Sequence, residues 1–359
     1  MSGKLHLDFS IARGGFELDV RAALELDGIS AVFGPSGAGK TTLLRAIAGL
    51  DRPARGRIAL DDAVWHDATR HVPAHLRRIG YVFQDGRLFP HLSVAQNLRF
   101  ALEHAPSPGP IGMPDAVAAL QLQDLLERRP ASLSGGEQQR VAIGRALVTN
   151  PRLLLMDEPL SSVDAGRRRE IAGYIEQLPA KFGLPVLYVT HDIDEVIRLA
   201  SRMLLLARGR VAAQGSVTEI LDRIDLWPLT GRLEAGSILE AAVVAQRDGM
   251  SHLSVEGQTL RIPAIDAAAG KIVRLRIHAR DVVIATQRPV QLSIRNVLTA
   301  RLSRIDLDDT VYAELKLEVG AQSLRARITR EALAELELTP GRTLFALVKS
   351  VAFDDTMLR

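Results

Sequence analysis

The fold of the first two thirds of the chain is decided by the stretch Gly34-Pro35-Ser36-Gly37-Ala38-Gly39-Lys40-Thr41-Thr42. It satisfies the pattern G-x-x-x-x-G-K-[ST] and lies between an apolar run, residues 29–33, and a helix-forming run, residues 40–49. Glycines let successive backbone N–H groups converge on phosphate oxygens, and the following helix directs its positive end at them. Lys40 brings a charge to the β- and γ-phosphates, and the Thr41 hydroxyl is a ligand for Mg²⁺. The stretch therefore predicts a phosphate-binding loop for a nucleoside triphosphate.

An acidic pair ends a second apolar run, Leu153-Leu154-Leu155-Met156-Asp157-Glu158. Four apolar residues predict a buried strand, and ligands of parallel sheets bind at the carboxyl ends of such strands. Asp157 is therefore expected to hold Mg²⁺. Glu158 is the better candidate for the general base, because its carboxylate can orient or deprotonate a water that attacks the γ-phosphate.

Two further apolar runs end in polar side chains. His191 follows residues 186–190, and Gln84 follows residues 79–83. If both strands lie near the strand of the phosphate loop, His191 reaches the γ-phosphate, and Gln84 ligates Mg²⁺ or positions water. The predicted catalytic residues are Glu158, His191 and Gln84, and the predicted metal ligands are Thr41, Gln84 and Asp157.

Length and composition exclude several classes of protein. The 359 residues are 47% hydrophobic and 24% charged, which is a globular composition with enough chain for two or three domains. The lack of cysteine excludes disulfides, thiolate metal sites and a cysteine nucleophile. A net charge of +3 is too small to indicate a nucleic-acid partner. Because no signal peptide or membrane helix is recognisable, we expect a soluble chain, and any membrane span has to come from another protein.

The pattern of strands and helices changes along the chain. Up to about residue 230, buried strands alternate with helices, and a helical insertion occupies about residues 114–150, which predicts a mostly parallel sheet wrapped by helices. From residue 236 onward, short alternating runs predict an all-β barrel; they are residues 255–262, 273–277, 311–317, 324–328 and 344–348. The repeat of Gln258-Thr-Leu-Arg261 as Gln322-Ser-Leu-Arg325 indicates two related halves. We predict an α/β domain at 1–230 and a β domain at 231–359.

A second anion-binding segment is predicted at Ser134-Gly135-Gly136, which opens a helix. One nucleotide does not need two such sites from the same chain. The simplest resolution is a head-to-tail dimer, in which each phosphate loop faces the Ser-Gly-Gly segment of the other subunit.

With these motifs in this order, residues 5–230 resemble the ATP-binding cassette (ABC) family. The resemblance implies a P-loop ATPase fold in which residues 34–41 are the Walker A loop, Gln84 the Q-loop glutamine and residues 133–137 the signature. It also makes Asp157 and Glu158 the Walker B pair, residues 161–164 the D-loop and His191 the switch histidine. It adds two nucleotide contacts, Phe16 stacking on adenine and Asp164. The signature departs from the family at Glu137, where a glutamine is usual, and this change is expected to perturb ATP contact without abolishing it.

The apolar loop at residues 87–92, directly after Gln84, resembles the region of ABC importers that receives the coupling helix of the membrane subunit. Apolar residues exposed on a loop usually mark a surface that is covered by another protein or by another part of the chain. The alternative is that they pack on the chain's own helical insertion.

Ser293-Ile-Arg295-Asn296 and Lys349-Ser350 resemble the molybdate-binding (Mop, or TOBE-type) fold, with a core at about 291–355. Residues 77–93 also resemble the ATP-binding subunits of molybdate importers. Molybdate is a tetrahedral dianion that needs hydroxyl and N–H donors with one or two cations. The predicted oxyanion site is Ser293, Arg295, Asn296, Lys349 and Ser350. The alternative is that Arg295 and Lys349 are solvated barrel charges.

The resemblance implies an ATPase that couples hydrolysis of ATP, bound with Mg²⁺, to molybdate uptake. Its implied partners are a second copy of itself, two integral-membrane permease subunits and, through them, a periplasmic molybdate-binding protein. Its implied place is the cytoplasmic face of the bacterial inner membrane. Other readings stay open: an importer ATPase for sulfate, tungstate, iron or sugar, a non-transport ABC ATPase, or a molybdate storage or sensing protein.

Overall fold

The computed structural model describes residues 3–105, 109–161, 163–230, 236–307 and 310–350. The chain divides into two compact units, Met1–Val217 and Thr218–Arg359. The division falls before the boundary predicted at residue 230, and residues 218–230 belong to the second unit. The predicted Mop core includes residues 308–309 and 351–355, and these, like residues 231–235 at the start of the predicted β domain, lie outside the described residues.

The first unit contains one large sheet and the helices around it. Its strands are β1 (Gly3–Arg13), β2 (Phe16–Leu26), β3 (Ile29–Phe33), β4 (Arg55–Leu60), β5 (Ala63–His66), β6 (Ile79–Val82), β7 (Leu153–Asp157), β8 (Val186–Thr190), β9 (Arg202–Ala207) and β10 (Arg210–Ser216). Its helices are α1 (Lys40–Ala48), α2 (Val94–Glu103), α3 (Met113–Ala119), α4 (Gly135–Leu147), α5 (Ala165–Phe182) and α6 (Ile193–Leu199), and the division between the units falls within α7 (Val217–Asp222).

The sheet has the order β5-β4-β1-β2-β10-β9-β3-β8-β7-β6. Neighbours from β9 to β6 are parallel, and every residue of β3, β7 and β8 is buried. The remaining strands add a mostly antiparallel flank, which the sequence pattern did not reveal. Because β3, β8 and β7 are adjacent and parallel, the segments that follow them meet at one edge of the sheet.

The second unit is built from antiparallel strands. They are β11 (Gly236–Arg247), β12 (Met250–Val255), β13 (Gln258–Pro263), β14 (Ile272–His278), β15 (Val282–Ala285), β16 (Asn296–Leu307), β17 (Tyr312–Val319), β18 (Gln322–Thr329) and β19 (Thr343–Val348), with helices α8 (Trp227–Thr230) and α9 (Arg330–Glu335). They form a four-stranded sheet, β13-β12-β11-β14, and a five-stranded sheet, β15-β19-β16-β17-β18, whose inner faces share one hydrophobic core. The predicted run 255–262 is wrong as a single strand, because Glu256 and Gly257 turn the chain at φ 48° and 77°.

The two glutamines of the sequence repeat have the same role in the structure. The Gln258 side-chain amide donates to the Thr299 carbonyl (3.0 Å) and accepts from the Thr299 N–H (2.7 Å). The Gln322 amide makes the same pair of bonds with Glu240, at 2.9 and 2.7 Å. Each half of the β unit therefore ties one of its strands to the first strand of the other half.

The sequence predicts that the chain has no membrane-spanning helix. Within the ranges described above, no helix is long and apolar enough to cross a bilayer.

Candidate active site

The phosphate loop connects β3 to α1 through glycines that no larger residue can replace. A Cβ added to Gly34 would lie 2.1 Å from the Leu206 carbonyl oxygen. Gly39, at φ 100°, comes directly before α1, and a Cβ there would lie 2.9 Å from Leu18 Cδ1. The backbone of β9 therefore requires glycine at position 34, and the left-handed φ favours glycine at position 39, where the loop enters the helix.

Lys40 begins α1 and is only 6% exposed. Its Nζ donates to the carbonyl oxygens of Gly34 (2.7 Å) and Pro35 (3.2 Å), and lies 3.9 Å from Glu158 Oε1. Burial lowers the pKa of this amine, while the carboxylates of Glu158 and Asp157 act in the opposite direction. The Lys40 ammonium group is thus held by the carbonyl oxygens of the phosphate loop itself.

Thr41 and Asp157 bring two oxygens together at the edge of the sheet. Thr41 Oγ1 donates to Asp157 Oδ1 over 3.0 Å. Adjacent ligands of octahedral Mg²⁺ at 2.0–2.1 Å are about 2.9 Å apart, so the spacing suits this ion. The side chain of Gln84 follows β6, the neighbour of β7, and is exposed. The donor set of hydroxyl, carboxylate and amide oxygens therefore fits Mg²⁺, and Thr41, Asp157 and Gln84 remain its predicted ligands.

Glu158 and His191 lie side by side at the same edge. His191 Nδ1 lies 3.1 Å from Glu158 Oε2, and the two side chains are 56% and 21% exposed. Glu158 has φ 45°, a conformation that a non-glycine residue rarely adopts, and its N–H donates to the Val189 carbonyl (3.0 Å). The Ser161 hydroxyl donates to the Glu158 carbonyl (2.8 Å). The turn after β7 thus aims the carboxylate at the end of β8.

Tyr81 is a member of this site that the motifs did not indicate. Its hydroxyl donates to Asp157 Oδ2 over 3.0 Å. The signal in the sequence was only its place three residues before Gln84 on a short apolar strand. Whether that side chain faces Asp157 depends on the register between β6 and β7, which a single sequence does not show.

The predicted second anion segment caps α4. Ser134 Oγ accepts from the Glu137 N–H (3.4 Å), and the Glu137 carboxylate accepts from the Ser134 N–H (2.7 Å) and hydroxyl (2.8 Å). These bonds from Ser134, the backbone one first, lower the pKa of Glu137. Glu137 therefore completes a capping box that engages the signature serine. Asp164 caps α5 in a similar way, accepting from the Arg167 N–H (3.1 Å).

Phe16 opens β2 and is half-buried beside the loop. A Cβ on Gly39 would lie 3.0 Å from Phe16 Cζ, and one on Gly209 would lie 3.3 Å from the same atom. The ring is thus close to the start of α1. Its stacking on adenine stays a prediction.

The loop after Gln84 packs on the helical insertion and also borders an exposed aromatic group. Asn97 accepts from the Phe89 N–H (2.9 Å), and Arg145 donates to the Gly86 carbonyl (2.9 Å). The ring of Phe89 meets that of Phe100 edge-on at 4.9 Å, and Phe100 is 41% exposed and stacks on His104 at 4.2 Å. Arg145 of the predicted insertion also donates to the Arg87 carbonyl (2.6 Å), as the alternative expects, and the contact with a membrane subunit stays a prediction.

The predicted oxyanion residues lie near the ends of β16 and β19. The side chains of Ser293, Arg295 and Lys349 are exposed. Asn296 is fully buried, and its amide accepts from the Arg261 N–H (2.6 Å) and donates to the Arg261 carbonyl (3.0 Å) and, at 3.4 Å, to Ser350 Oγ. Within one chain, Asn296 therefore ties β13 to β16.

A phosphate loop after β3, an acidic pair after β7 and a histidine after β8, together with a helical insertion, define an ABC-type ATPase. The ABC transporter family matches residues 18–161, and the TOBE domain family matches residues 292–353. The dimeric ATP-binding cassette MJ0796 bound to ADP and Pi superposes with a TM-score of 0.51 and 29% identity, over 60% of this chain and 98% of that chain.

The similarity to known relatives extends through both units. The chain is 45% identical to the molybdenum import ATP-binding protein ModC of Paramagnetospirillum magneticum over 353 residues, which are 97% of each chain. It is also 45% identical to ModC of Pectobacterium atrosepticum, over 97% of this chain and 99% of the relative. The chain belongs to the family of these ABC-type import ATPases. The predicted fold class and the predicted ATPase are confirmed.

Proposed function

We propose that the chain is the ATP-hydrolysing subunit of a molybdate importer and works as a dimer on two membrane permease subunits. The observation that carries the substrate is the similarity to molybdenum import proteins over 97% of both chains, the β unit included. The convergence of Lys40, Thr41, Asp157, Glu158 and His191 at one edge of the sheet supports ATP hydrolysis.

In the proposed site, the amides of the phosphate loop and the start of α1 bind the β- and γ-phosphates. The Lys40 ammonium exchanges its bonds to the Gly34 and Pro35 carbonyls for bonds to phosphate oxygens. Bound Mg²⁺ supplies neutralisation of charge on those oxygens. Thr41 and Asp157 hold it, with Gln84 as a further ligand.

Glu158 is the proposed general base. Its carboxylate takes the proton of the attacking water, and the turn conformation at φ 45° fixes its direction. His191 orients this carboxylate through Nδ1, at 3.1 Å. The other ring nitrogen, Nε2, is then available to the γ-phosphate. Both ring nitrogens can donate hydrogen bonds at the same time only when the ring is in its imidazolium form.

Dimerisation completes the proposed site, because Ser134, Gly135 and Gly136 of one subunit face the phosphates held by the other, with Asp164 beside them. The exposed Phe100 and its neighbour Phe89 are the proposed contact for the permease. In this assembly the chain lies on the cytoplasmic face of the inner membrane, and a periplasmic binding protein delivers molybdate to the permease.

The proposed oxyanion site, which would bind molybdate, lies in the β unit. Arg295 and Lys349 supply positive charge and Ser293 and Ser350 supply hydroxyl donors, which suits a tetrahedral dianion. Asn296 is assigned a supporting role, because its amide is bonded to Arg261.

The function is tested in a bacterium whose own importer ATPase for molybdate is deleted. The chain is expressed with its permease, and cellular molybdenum is measured at nanomolar external molybdate. We expect uptake with the wild-type chain and none with Glu158→Gln. Uptake of sulfate or iron in place of molybdenum would contradict the substrate, and ATP turnover without any uptake would favour a non-transport ATPase.

Calorimetry tests the oxyanion site separately. The purified chain is titrated with molybdate and with sulfate, and the titrations are repeated with Arg295→Ala. Arg301→Ala is the matched control, since Arg301 is an exposed arginine farther along β16. Undiminished binding by Arg295→Ala would contradict the site.

A further inference from the structure

We propose that Tyr81 is a positioning residue for the metal-binding carboxylate of Asp157. The inference rests on the proposed function, in which Thr41 and Asp157 hold Mg²⁺ with ATP. It adds to the nucleotide site a side chain that none of the motifs contains.

The two oxygens of Asp157 have different partners. Oδ1 accepts from the Thr41 hydroxyl at 3.0 Å, and Oδ2 accepts from the Tyr81 hydroxyl at 3.0 Å. Because each oxygen accepts one bond from a different strand or helix, the plane of the carboxylate is fixed. Thr41 is exposed on the first turn of α1, whereas Tyr81 lies on β6, which pairs with β7 from Ile79 to Val82.

Burial makes these two bonds matter. The Asp157 side chain is 6% exposed, so its oxygens depend on protein donors more than on solvent for hydrogen bonds. Thr41 supplies the donor to Oδ1 and Tyr81 the donor to Oδ2. Removal of the Tyr81 hydroxyl would therefore leave one oxygen of a buried carboxylate without this donor.

The ring of Tyr81 is fixed as well. Its centroid lies 4.2 Å from that of Phe83, and the Arg87 guanidinium carbon lies 4.2 Å from the Phe83 ring on the same segment. The hydroxyl therefore cannot turn away from Asp157 without disturbing the residues on either side of Gln84. If Thr41 gave up its bond to Oδ1 in order to hold Mg²⁺, the Tyr81 bond to Oδ2 would still fix the orientation of the Asp157 carboxylate.

The test uses Tyr81→Phe, which keeps the ring and removes only the hydroxyl. Equilibrium binding of a fluorescent ATP analogue is measured in EDTA and over a series of Mg²⁺ concentrations, with the melting temperature recorded alongside. Because the lost hydrogen bond is to a charged group, we expect the half-saturating Mg²⁺ concentration to rise by about tenfold or more. Affinity in EDTA and the melting temperature should stay close to wild type.

Tyr174→Phe is the matched control, because that phenol also donates to a carboxylate, Glu170 at 3.0 Å, on the exposed side of α5. It should leave the Mg²⁺ dependence unchanged. An unchanged Mg²⁺ dependence in Tyr81→Phe would overturn the inference alone. Equal loss of affinity in EDTA and in Mg²⁺, with a lower melting temperature, would overturn it in favour of a packing role. A wild-type chain whose nucleotide binding ignores Mg²⁺ would overturn the proposed metal site together with it.

Discussion

The imidazole Nδ1 of His191 lies 3.1 Å from Oε2 of Glu158, so the residues that follow two neighbouring parallel strands form one pair. Glu158 reaches this position because its φ of 45° turns the chain sharply after Asp157. The carboxylate proposed to hold Mg²⁺ and the proposed base thus belong to consecutive residues that point to different partners, Thr41 and His191.

The first prediction concerns the proposed base. Glu158→Gln should leave ATP affinity within about threefold of wild type and lower kcat by about 10²–10⁴-fold, because the amide keeps the shape but cannot accept a proton. Binding is measured with a fluorescent nucleotide, and turnover by phosphate release. Glu170→Gln, at an exposed position of α5, is the control. Turnover equal to that of wild type would remove Glu158 from the role of base.

A second prediction concerns Arg77, which is 1% exposed. Its Nη1 donates to the carbonyls of Ala46 (2.8 Å) and Ile47 (2.7 Å), at the end of the helix that Lys40 begins. The Ala46 carbonyl also accepts from the Gly49 N–H (3.1 Å), and a cation is favourable at the C-terminal end of a helix.

Lysine keeps the charge of Arg77 but cannot reach both carbonyls and the Val72 carbonyl together. We expect Arg77→Lys to lower the free energy of unfolding by about 2–4 kcal/mol in urea. Arg70→Lys, at an exposed turn, should stay within about 0.5 kcal/mol. A similar small effect at Arg77 would show that the capping bonds add little.

A third prediction separates structure from binding in the β unit. Asn296→Ala removes a fully buried amide, leaves the partly buried N–H and carbonyl of Arg261 without that partner, and should cost about 2–4 kcal/mol in urea unfolding. Thr299→Ala, an exposed position on the same strand, should cost less than about 0.5 kcal/mol. Equal stability of the two variants would mean that Asn296 is free to serve an anion.

The fourth prediction is a pH dependence. His66 and His71 lie with their Nδ1 atoms 3.3 Å apart, and His66 is 3% exposed. Burial lowers the pKa of both rings, and the charge of Arg77 lowers it further in each. In the unfolded chain a histidine has a pKa of about 6.5, so below that pH the unfolded state binds more protons than the folded one.

Stability from this pair is therefore complete above about pH 6.5 and is lost as the pH falls below it, by up to about 1.4 kcal/mol per pH unit for each ring. Urea unfolding between pH 7.5 and 5.5 measures the slope. His71→Gln should flatten it, whereas His104→Gln, at an exposed end of α2, should not. Equal slopes in wild type and His71→Gln would contradict the prediction.

The main components of the site could be predicted because each follows a strand. Parallel strands present their carboxyl ends at one edge, so the phosphate loop, Asp157 and His191 had to meet once their strands were recognised. The position of Glu158 beside His191 required more, because the direction of its side chain depends on a left-handed turn. In the β unit, the repeated Gln258 and Gln322 indicated two halves, but their bonding to Thr299 and Glu240 did not follow from the repeat.

The P-loop fold, the candidate residues of the nucleotide site and the change to a β unit could be predicted from the sequence, because they depend on local patterns: strand, glycine-rich turn, capped helix and alternation. The tertiary structure alone decided that Tyr81 meets Asp157, that Arg77 caps the helix of Lys40 and that the Asn296 amide is engaged by Arg261. Each of these contacts joins segments at least 30 residues apart. They depend on strand register and on which carbonyls are left unpaired, and both are set only when the sheets pair and the helices pack.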